Sequence, residues 1–317
     1  MNLTKLKEIQ SGADGLWKAG ADGIRSIVTT GDTKADFAVY DDKCLCYIKS
    51  GMGYPAIYPV SQPEFEPRAE AVLMDLDGTS VHSEEFWIWI IQTAISKLIK
   101  NPRFELEEAD LPYVSGHSVS EHLQYCIKKY CPGENVEDAR RIYHAVTEYE
   151  MNEILEGRGR EGAFTPAPDL DEFLYKLKEN NIKIGLVTSG LYKKAMPEII
   201  SAFRTLKMGD PVDFYDCIIT AGYPLGKGGV GTLGELAPKP HPWLYAETAR
   251  VGLGIPPGRK HKVIGIEDSS AGILSILLAG FVSIGISGGN IDASGADALT
   301  DCRADKLMDC LPIILGD

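Results

Sequence analysis

From residue 69 onward, short apolar runs alternate with stretches of helical periodicity. Residues 71–75 (AVLMD), 182–188, 216–220, 262–267 and 282–286 are apolar runs of strand length. They are continuous rather than alternating, as strands buried on both faces are. Between them, Leu170, Phe173, Leu174 and Leu177, and then residues 194–206, 242–251 and 271–279, place apolar side chains at helical spacing. Strand–helix alternation of this kind predicts an α/β core, a parallel sheet with helices on both faces.

Two regions break the alternation. Residues 82–164 carry only helical patterns, at 84–100, 119–130 and 136–155. In the last of these, Val136, Ala139, Ile142, Tyr143, Val146, Met151, Ile154 and Leu155 fall mostly on one 3.6-period face. Such an insert, interrupting the sheet after its first strand, predicts an all-helical cap domain over the strand ends. Residues 69–81 and 165–317 then form a Rossmann-like catalytic core. Residues 1–68 form an N-terminal extension. Within it, 35–51 reads as strand, Asp-Asp-Lys turn, strand, and Pro55, Pro59, Pro63 and Pro67 mark an extended connector. An oligomerisation or partner-binding element and a hairpin packed on the core both fit this extension.

Charge narrows the class. Thirty-two Lys and Arg stand against 45 Asp and Glu, a net charge of −13. That argues against nonspecific nucleic-acid binding and against an anionic membrane surface, and it means that an anionic substrate needs a local cationic site. The seven cysteines, at 44, 46, 126, 131, 217, 302 and 310, are scattered, and no spacing resembles a zinc site or a compact disulfide framework. Cys44 and Cys46 read as two positions on one face of a strand. The N-terminus lacks the apolar core of a signal peptide, and no apolar run reaches the roughly 20 residues of a membrane span. The expectation is a cytoplasmic protein with reduced thiols.

In open parallel sheets, ligands bind beyond the carboxyl ends of the strands, and the polar residues of this sequence collect there. The first strand ends in Asp75 and delivers Asp77, Gly78 and Thr79. The second ends in Thr188-Ser189-Gly190, and the fourth in Glu267-Asp268-Ser269. Lys239 stands in Pro-Lys-Pro before the helix leading to that strand. Each signal alone reads as a turn, a helix cap or a solvated lysine. Together they put four carboxylates, a hydroxyl and an ammonium in one crevice. Four unpartnered carboxylates repel at neutral pH, and a hard cation such as Mg²⁺ relieves the repulsion.

D75-L-D77-G-T, the strand-end Thr188, Lys239 and E267-D268-S resemble the four ordered motifs of the haloacid dehalogenase-like superfamily. "KIGLVTSG", "PKPHPWLY" and "VIGIEDSSAGILSILLAG" resemble its branch of β-phosphoglucomutases and small-molecule phosphatases. The resemblance covers about residues 69–290. It implies that Asp75 is the nucleophile that becomes an aspartyl-phosphate and that Asp77 protonates the leaving oxygen and then activates water. It implies that Thr188 and Lys239 hold the transferring phosphoryl group, with Gly78, Ser189 and Gly190 supplying backbone N–H groups. Mg²⁺ would be bound by Asp75, the backbone carbonyl of Asp77 and Asp268, with Glu267 a further ligand or an acceptor behind it. Dehalogenase members generally lack the second Asp, so Asp77 favours phosphoryl chemistry. The implied activity is a phosphatase acting on a small phosphorylated metabolite.

In the insert, Gly116 and Ser118 match the family's G-x-S cap turn, and His82, His117, Ser118 and His122 are candidate substrate-facing groups. This chain has His82-Ser83 where most relatives have Asp-Ser. Trp87 stands where mutases carry His, and Val119 where they carry the Arg that grips a second phosphate. Without that grip a bisphosphate intermediate escapes or is hydrolysed, which disfavours the phosphosugar mutase alternative. No Schiff-base lysine is identifiable among Lys97, Lys100, Lys128 and Lys129. The Gly-rich stretch 221–240 lacks P-loop spacing, and Lys227 within it is a candidate extra charge beside the site. An alternative from another class is a catalytically silent phosphate-binding module whose extension recruits a partner; the intact Asp75, Asp77, Lys239 and Asp268 speak against it.

Overall fold

The computed structural model describes residues 2–49, 55–61, 64–111, 119–222 and 236–316. The chain divides into two compact units, one of Met1–Ser80, Ala167–Ala195 and Leu206–Asp317, the other of Val81–Pro166 and Met196–Thr205.

The first unit holds two sheets. Its N-terminal sheet is antiparallel, with strands in chain order: β1 (Lys7–Ile9), β2 (Ser26–Thr29), β3 (Ala35–Val39), β4 (Cys44–Ile48) and β5 (Ala56–Pro59). The expected hairpin is β3–β4, with Phe37 opposite Cys46. The expected connector is corrected in part, because Ala56–Pro59 pairs along β4 as an edge strand, the place in a sheet where proline is tolerated. Alternation sorts the two faces. Val28, Phe37, Cys46 and Ile48 point toward the helix Ser270–Ala279. Ile27, Ala38 and Tyr47 point the other way and are covered by Trp17 and Ile24. Cys44 packs on the same apolar cluster as Cys46, as expected of positions two apart in a strand.

The second sheet is parallel and six-stranded: β10 (Cys217–Gly222), β9 (Lys183–Leu191), β6 (Ala71–Asp75), β11 (Val263–Glu267), β12 (Val282–Ile286) and β13 (Cys302–Ala304), in that spatial order. β6, β11 and β12 are buried at every position, which is why they read as unbroken apolar runs. Parallel pairing sets Asp75 opposite Val187 and Ile266 opposite Met74, so the ends of β6, β9 and β11 open on one edge. The Ser270–Ala279 helix is apolar on all sides because it has two partners. Ile276 packs with Leu73 and Val263, and Ile273, Leu274 and Leu277 pack with the N-terminal sheet. The helix expected over 242–251 is α-helical at Trp243–Glu247 and continues as a wider π turn at Thr248–Gly252.

In the second unit, β7 (Val81–His82) and β8 (Thr165–Pro166) pair antiparallel, closing the two ends of the insert on each other. Between them lie helices Glu84–Leu98, Val119–Tyr130 and Val136–Leu155. Asn135 caps the last, accepting from the Glu137 and Asp138 N–H groups at 2.7 and 3.0 Å. Ala139, Tyr143, Val146, Met151 and Ile154 of its predicted face are buried, whereas Leu155 at its end is 38% exposed. Asp110 is buried in this unit. It accepts from Tyr125 and Lys129 at 2.6 Å each, from the Glu107 N–H at 2.9 Å and from Tyr130.

All seven cysteines are unpaired. Among the described residues, no helix is long and apolar enough to cross a membrane.

Candidate active site

β6 carries its apolar run to the sheet edge and ends in Asp75, whose side chain is 7% exposed. The turn that follows is held by Ser80, whose hydroxyl donates to the Asp75 carbonyl at 2.6 Å and whose N–H donates to that of Leu76 at 3.0 Å. One strand over, Glu267 ends β11 fully buried. The Lys239 ammonium enters between the two carboxylates, pairing with Asp75 Oδ1 and with Glu267 Oε1 at 2.5 Å. Tyr245 donates to the same Glu267 oxygen at 2.8 Å. The other oxygen, Oε2, accepts from the Ser269 N–H and hydroxyl at 3.3 and 2.9 Å. Both oxygens of Glu267 are therefore engaged in fixing Lys239 and the start of the next helix.

Asp268 sits in a cradle of backbone. Gly78 has φ +86°, and a Cβ there would lie 2.2 Å from Asp268 Oδ2; a Cβ on Gly289 would lie 2.1 Å from the Asp268 carbonyl oxygen. Only glycine at these two positions lets the D-G-T turn and the 289 loop close on this carboxylate. On the other flank, Thr188 is buried at the sheet edge; its hydroxyl accepts from the Gly190 N–H at 2.9 Å and reaches Asp77 Oδ2 at 3.5 Å. The Lys239 N–H donates to Ser189 Oγ at 3.1 Å, tying the Pro-Lys-Pro segment to the β9 end.

The charges do not balance. Burial, then the neighbouring Glu267, push the Asp75 carboxyl well above the usual carboxylate range, although Lys239 pulls it back. Burial and Glu267 also push Asp268 up to about 7. Burial works against the Lys239 ammonium, but Asp75 and Glu267 outweigh it and hold the amine protonated. One ammonium thus faces three carboxylates in a site largely shut off from water, and a surplus of two negative charges remains when all three ionise. Asp75, Glu267 and Asp268 each offer an oxygen within 4.8 Å of the others. Oxygens around a Mg²⁺ ion at about 2.1 Å stand roughly 3–4 Å apart, so small side-chain adjustments suit this donor set to a hard divalent cation.

Asp75, Asp77, Gly78, Thr188, Ser189, Gly190, Lys239, Glu267 and Asp268 are thus brought together in the first unit. His82 lies exposed on β7 in the second unit, and His122 is buried in its helix there. Gly116, His117, Ser118 and Lys227 lie outside the described residues. Sequence reasoning missed Tyr245, Gly289 and the double role of Ser269, which caps its helix by accepting from the Gly272 N–H at 3.1 Å while donating to Glu267. For Ser269 the signal was present as an N-cap residue before an apolar helix. Tyr245 and Gly289 carry no local signal.

Over 255 residues the chain is 27% identical to the β-phosphoglucomutase of Bacillus subtilis (strain 168), covering 76% of this chain and 93% of that protein. The solved β-phosphoglucomutase of Clostridium difficile aligns with a TM-score of 0.50 at 25% identity, over 75% of this chain and 92% of its own. A structure described as a predicted phosphoglycolate phosphatase from Haemophilus somnus 129pt aligns with a TM-score of 0.58 at 17% identity, over 80% and 99%; at that identity it speaks for the fold alone. The family profile described as haloacid dehalogenase-like hydrolase matches residues 69–280, the segment that contains all nine residues of the cluster, and the chain belongs to that family.

Proposed function

We propose that this protein is a Mg²⁺-dependent phosphatase that hydrolyses a small phosphorylated metabolite through an aspartyl-phosphate on Asp75. The observation that carries the reading is the Lys239 ammonium held between Asp75 and Glu267 beside Asp268, a buried site with surplus negative charge. When bound by Asp75 and Asp268, Mg²⁺ supplies the charge neutralisation that phosphoryl transfer needs. Glu267, with both oxygens already hydrogen-bonded, serves to hold Lys239 and Ser269.

In the first step an Asp75 carboxylate oxygen attacks phosphorus. The bond from phosphorus to the leaving oxygen breaks, and Asp77 gives that oxygen its proton. In the second step Asp77, now a carboxylate, takes a proton from water, whose oxygen attacks the same phosphorus. The bond to Asp75 breaks, inorganic phosphate leaves, and both side chains return to their starting states. Lys239 and the Thr188 hydroxyl, itself held by the Gly190 N–H, hold the phosphoryl oxygens through both steps, with the Ser189 N–H beside them.

The 27% identity to a β-phosphoglucomutase keeps a second reading, sugar-phosphate mutase. Val119 and Trp87, standing where mutases carry Arg and His, place it behind. The test is phosphate release from a panel of phosphometabolites, with Mg²⁺ or EDTA and with Asp75→Asn as blank. Release that needs both Mg²⁺ and Asp75 is expected. No release from any compound, with isomerisation of a sugar phosphate when a bisphosphate is added, would replace the phosphatase with the mutase.

A further inference from the structure

The N-terminal sheet lies outside the stretch that matches the family, yet one of its turns touches the segment behind Asp268. This turn, residues 30–35 between β2 and β3, is tightly built. The Thr30 hydroxyl donates to Asp32 Oδ1 at 2.6 Å, and the Lys34 N–H donates to the same oxygen at 3.1 Å. The Thr30 N–H donates to the Ala35 carbonyl at 3.0 Å, and the Thr33 N–H to that of Thr30 at 2.9 Å. With one carboxylate oxygen spent on the turn, the other points outward. Asp32 Oδ2 accepts from the hydroxyl of Ser270 at 2.8 Å.

Ser270 is fully buried and stands two residues beyond Asp268, in the first turn of the Ser270–Ala279 helix. Its N–H donates to Asn290 Oδ1 at 2.8 Å, next to Gly289, the residue that presses on Asp268. The same turn grips this loop as well, because the Gly31 N–H donates to the Ser294 carbonyl at 2.8 Å. The loop that carries Gly289 and the segment that carries Asp268 itself are thus anchored to residues 31 and 32.

We infer that Asp32 is a positioning residue for the metal-binding carboxylate. Its hydrogen bond to Ser270 sets the 267–270 segment, and with it Asp268, in the geometry a divalent cation requires. The inference rests on the metal reading of the cluster and adds the N-terminal sheet to the functional unit. A carboxylate in a buried site with surplus negative charge drifts from its neighbours unless its backbone is fixed. The Asp32–Ser270 bond and the Asn290 amide fix it from two sides. Partners that orient a ligand directly are worth about 10–100-fold in metal affinity. Acting through two residues of backbone, Asp32 is expected to be worth about three- to tenfold.

The test uses the full-length protein and two readouts. Mg²⁺ binding is titrated by calorimetry, and amide hydrogen exchange of peptides covering residues 264–274 is followed without metal. Asp32→Ala should weaken Mg²⁺ binding by the stated factor and speed exchange in those peptides. Asp32→Asn keeps the turn's acceptor and can donate to the Ser270 hydroxyl, so it should restore both. Asp41→Ala, at the exposed turn on the other end of β3, should change neither. Should Asp32→Ala fail to fold, Ser270→Ala removes the same bond and leaves the turn intact. Affinity within about twofold of wild type in the folded variant, a range within the scatter of single-contact effects, overturns the inference, as does an equal loss in Asp41→Ala. If the wild-type protein takes up no Mg²⁺, the metal reading falls instead, and exchange alone decides whether Asp32 orders the segment.

Discussion

Two buried aspartates of this chain each have a lysine ammonium against them, and their surroundings push them in opposite directions. Asp110, in the helical unit, meets Lys129, two phenols and a backbone N–H. Burial works against its charge, but the Lys129 and phenol hydrogen bonds win, and its carboxyl is held well below the usual range. Asp75, at the sheet edge, shares its one ammonium with Glu267 and lies near Asp268. There burial and Glu267 win, and its carboxyl is pushed up. A buried carboxylate with a complete set of donors is architecture. One that shares its only cation with other carboxylates is built for a charge that arrives with substrate or metal.

Identical substitutions break the comparison most sharply. Asp75→Asn should lower phosphate release at least about a thousandfold, as removal of a nucleophile does, whereas Asp110→Asn should leave turnover per folded molecule unchanged. Stability should reverse the order. Asp110→Asn loses charge-assisted hydrogen bonds worth about 2–3 kcal/mol, visible as a lower urea midpoint. Metal-free Asp75→Asn should melt no lower than wild type, because it removes a repelled charge. A large stability loss in Asp75→Asn would make the two clusters alike.

Next in size is Lys239→Met, which keeps the shape and deletes the charge. Phosphate release should fall about 10²–10³-fold. A value near wild type would show that Lys239 does not touch the transferring group.

The smallest effect is the dependence on pH. Asp268, pushed up to about 7 by burial and Glu267, holds its proton in the folded metal-free protein where an unfolded aspartate has lost it. Its contribution to stability is whole below about pH 4 and is lost as pH rises toward 7. Metal binding needs the carboxylate, so affinity should gain up to about tenfold per pH unit for each proton displaced. The rise in melting temperature caused by Mg²⁺ should therefore grow between about pH 5.5 and 7.5. Asp110 has the opposite sign: its contribution is present above about pH 4 and is lost as pH falls below that. A Mg²⁺ effect that is flat across this range would remove Asp268 from the cation site.

The core and the nine clustered residues were legible because parallel strands buried on both faces leave continuous apolar runs, and function sits where those runs stop. Asp75, Thr188 and Glu267 are each the first polar residues after such a run. The N-terminal sheet was legible only at β3–β4. β1 has three residues and buries none of them fully, so it carries no period to read. β13, Cys302–Ala304, likewise adds a sixth strand with only one residue fully buried. Tyr245 reaches Glu267 and Asp32 reaches Ser270 only because the fold brings distant segments together, which no spacing in the sequence encodes.

The helix Ser270–Ala279, apolar on every side, also sets a problem in time. The N-terminal sheet is synthesised first, with Val28, Phe37 and Ile48 on a face whose partners are Ile273, Leu274 and Leu277. At about 5–20 residues per second, the ribosome delivers those partners roughly ten to fifty seconds after Phe37. Until then the nascent chain carries an apolar sheet face without the helix that covers it in the finished fold, a surface on which chaperones act and neighbouring chains stick. Lowering the chaperone supply over that interval should therefore lower the yield of folded protein.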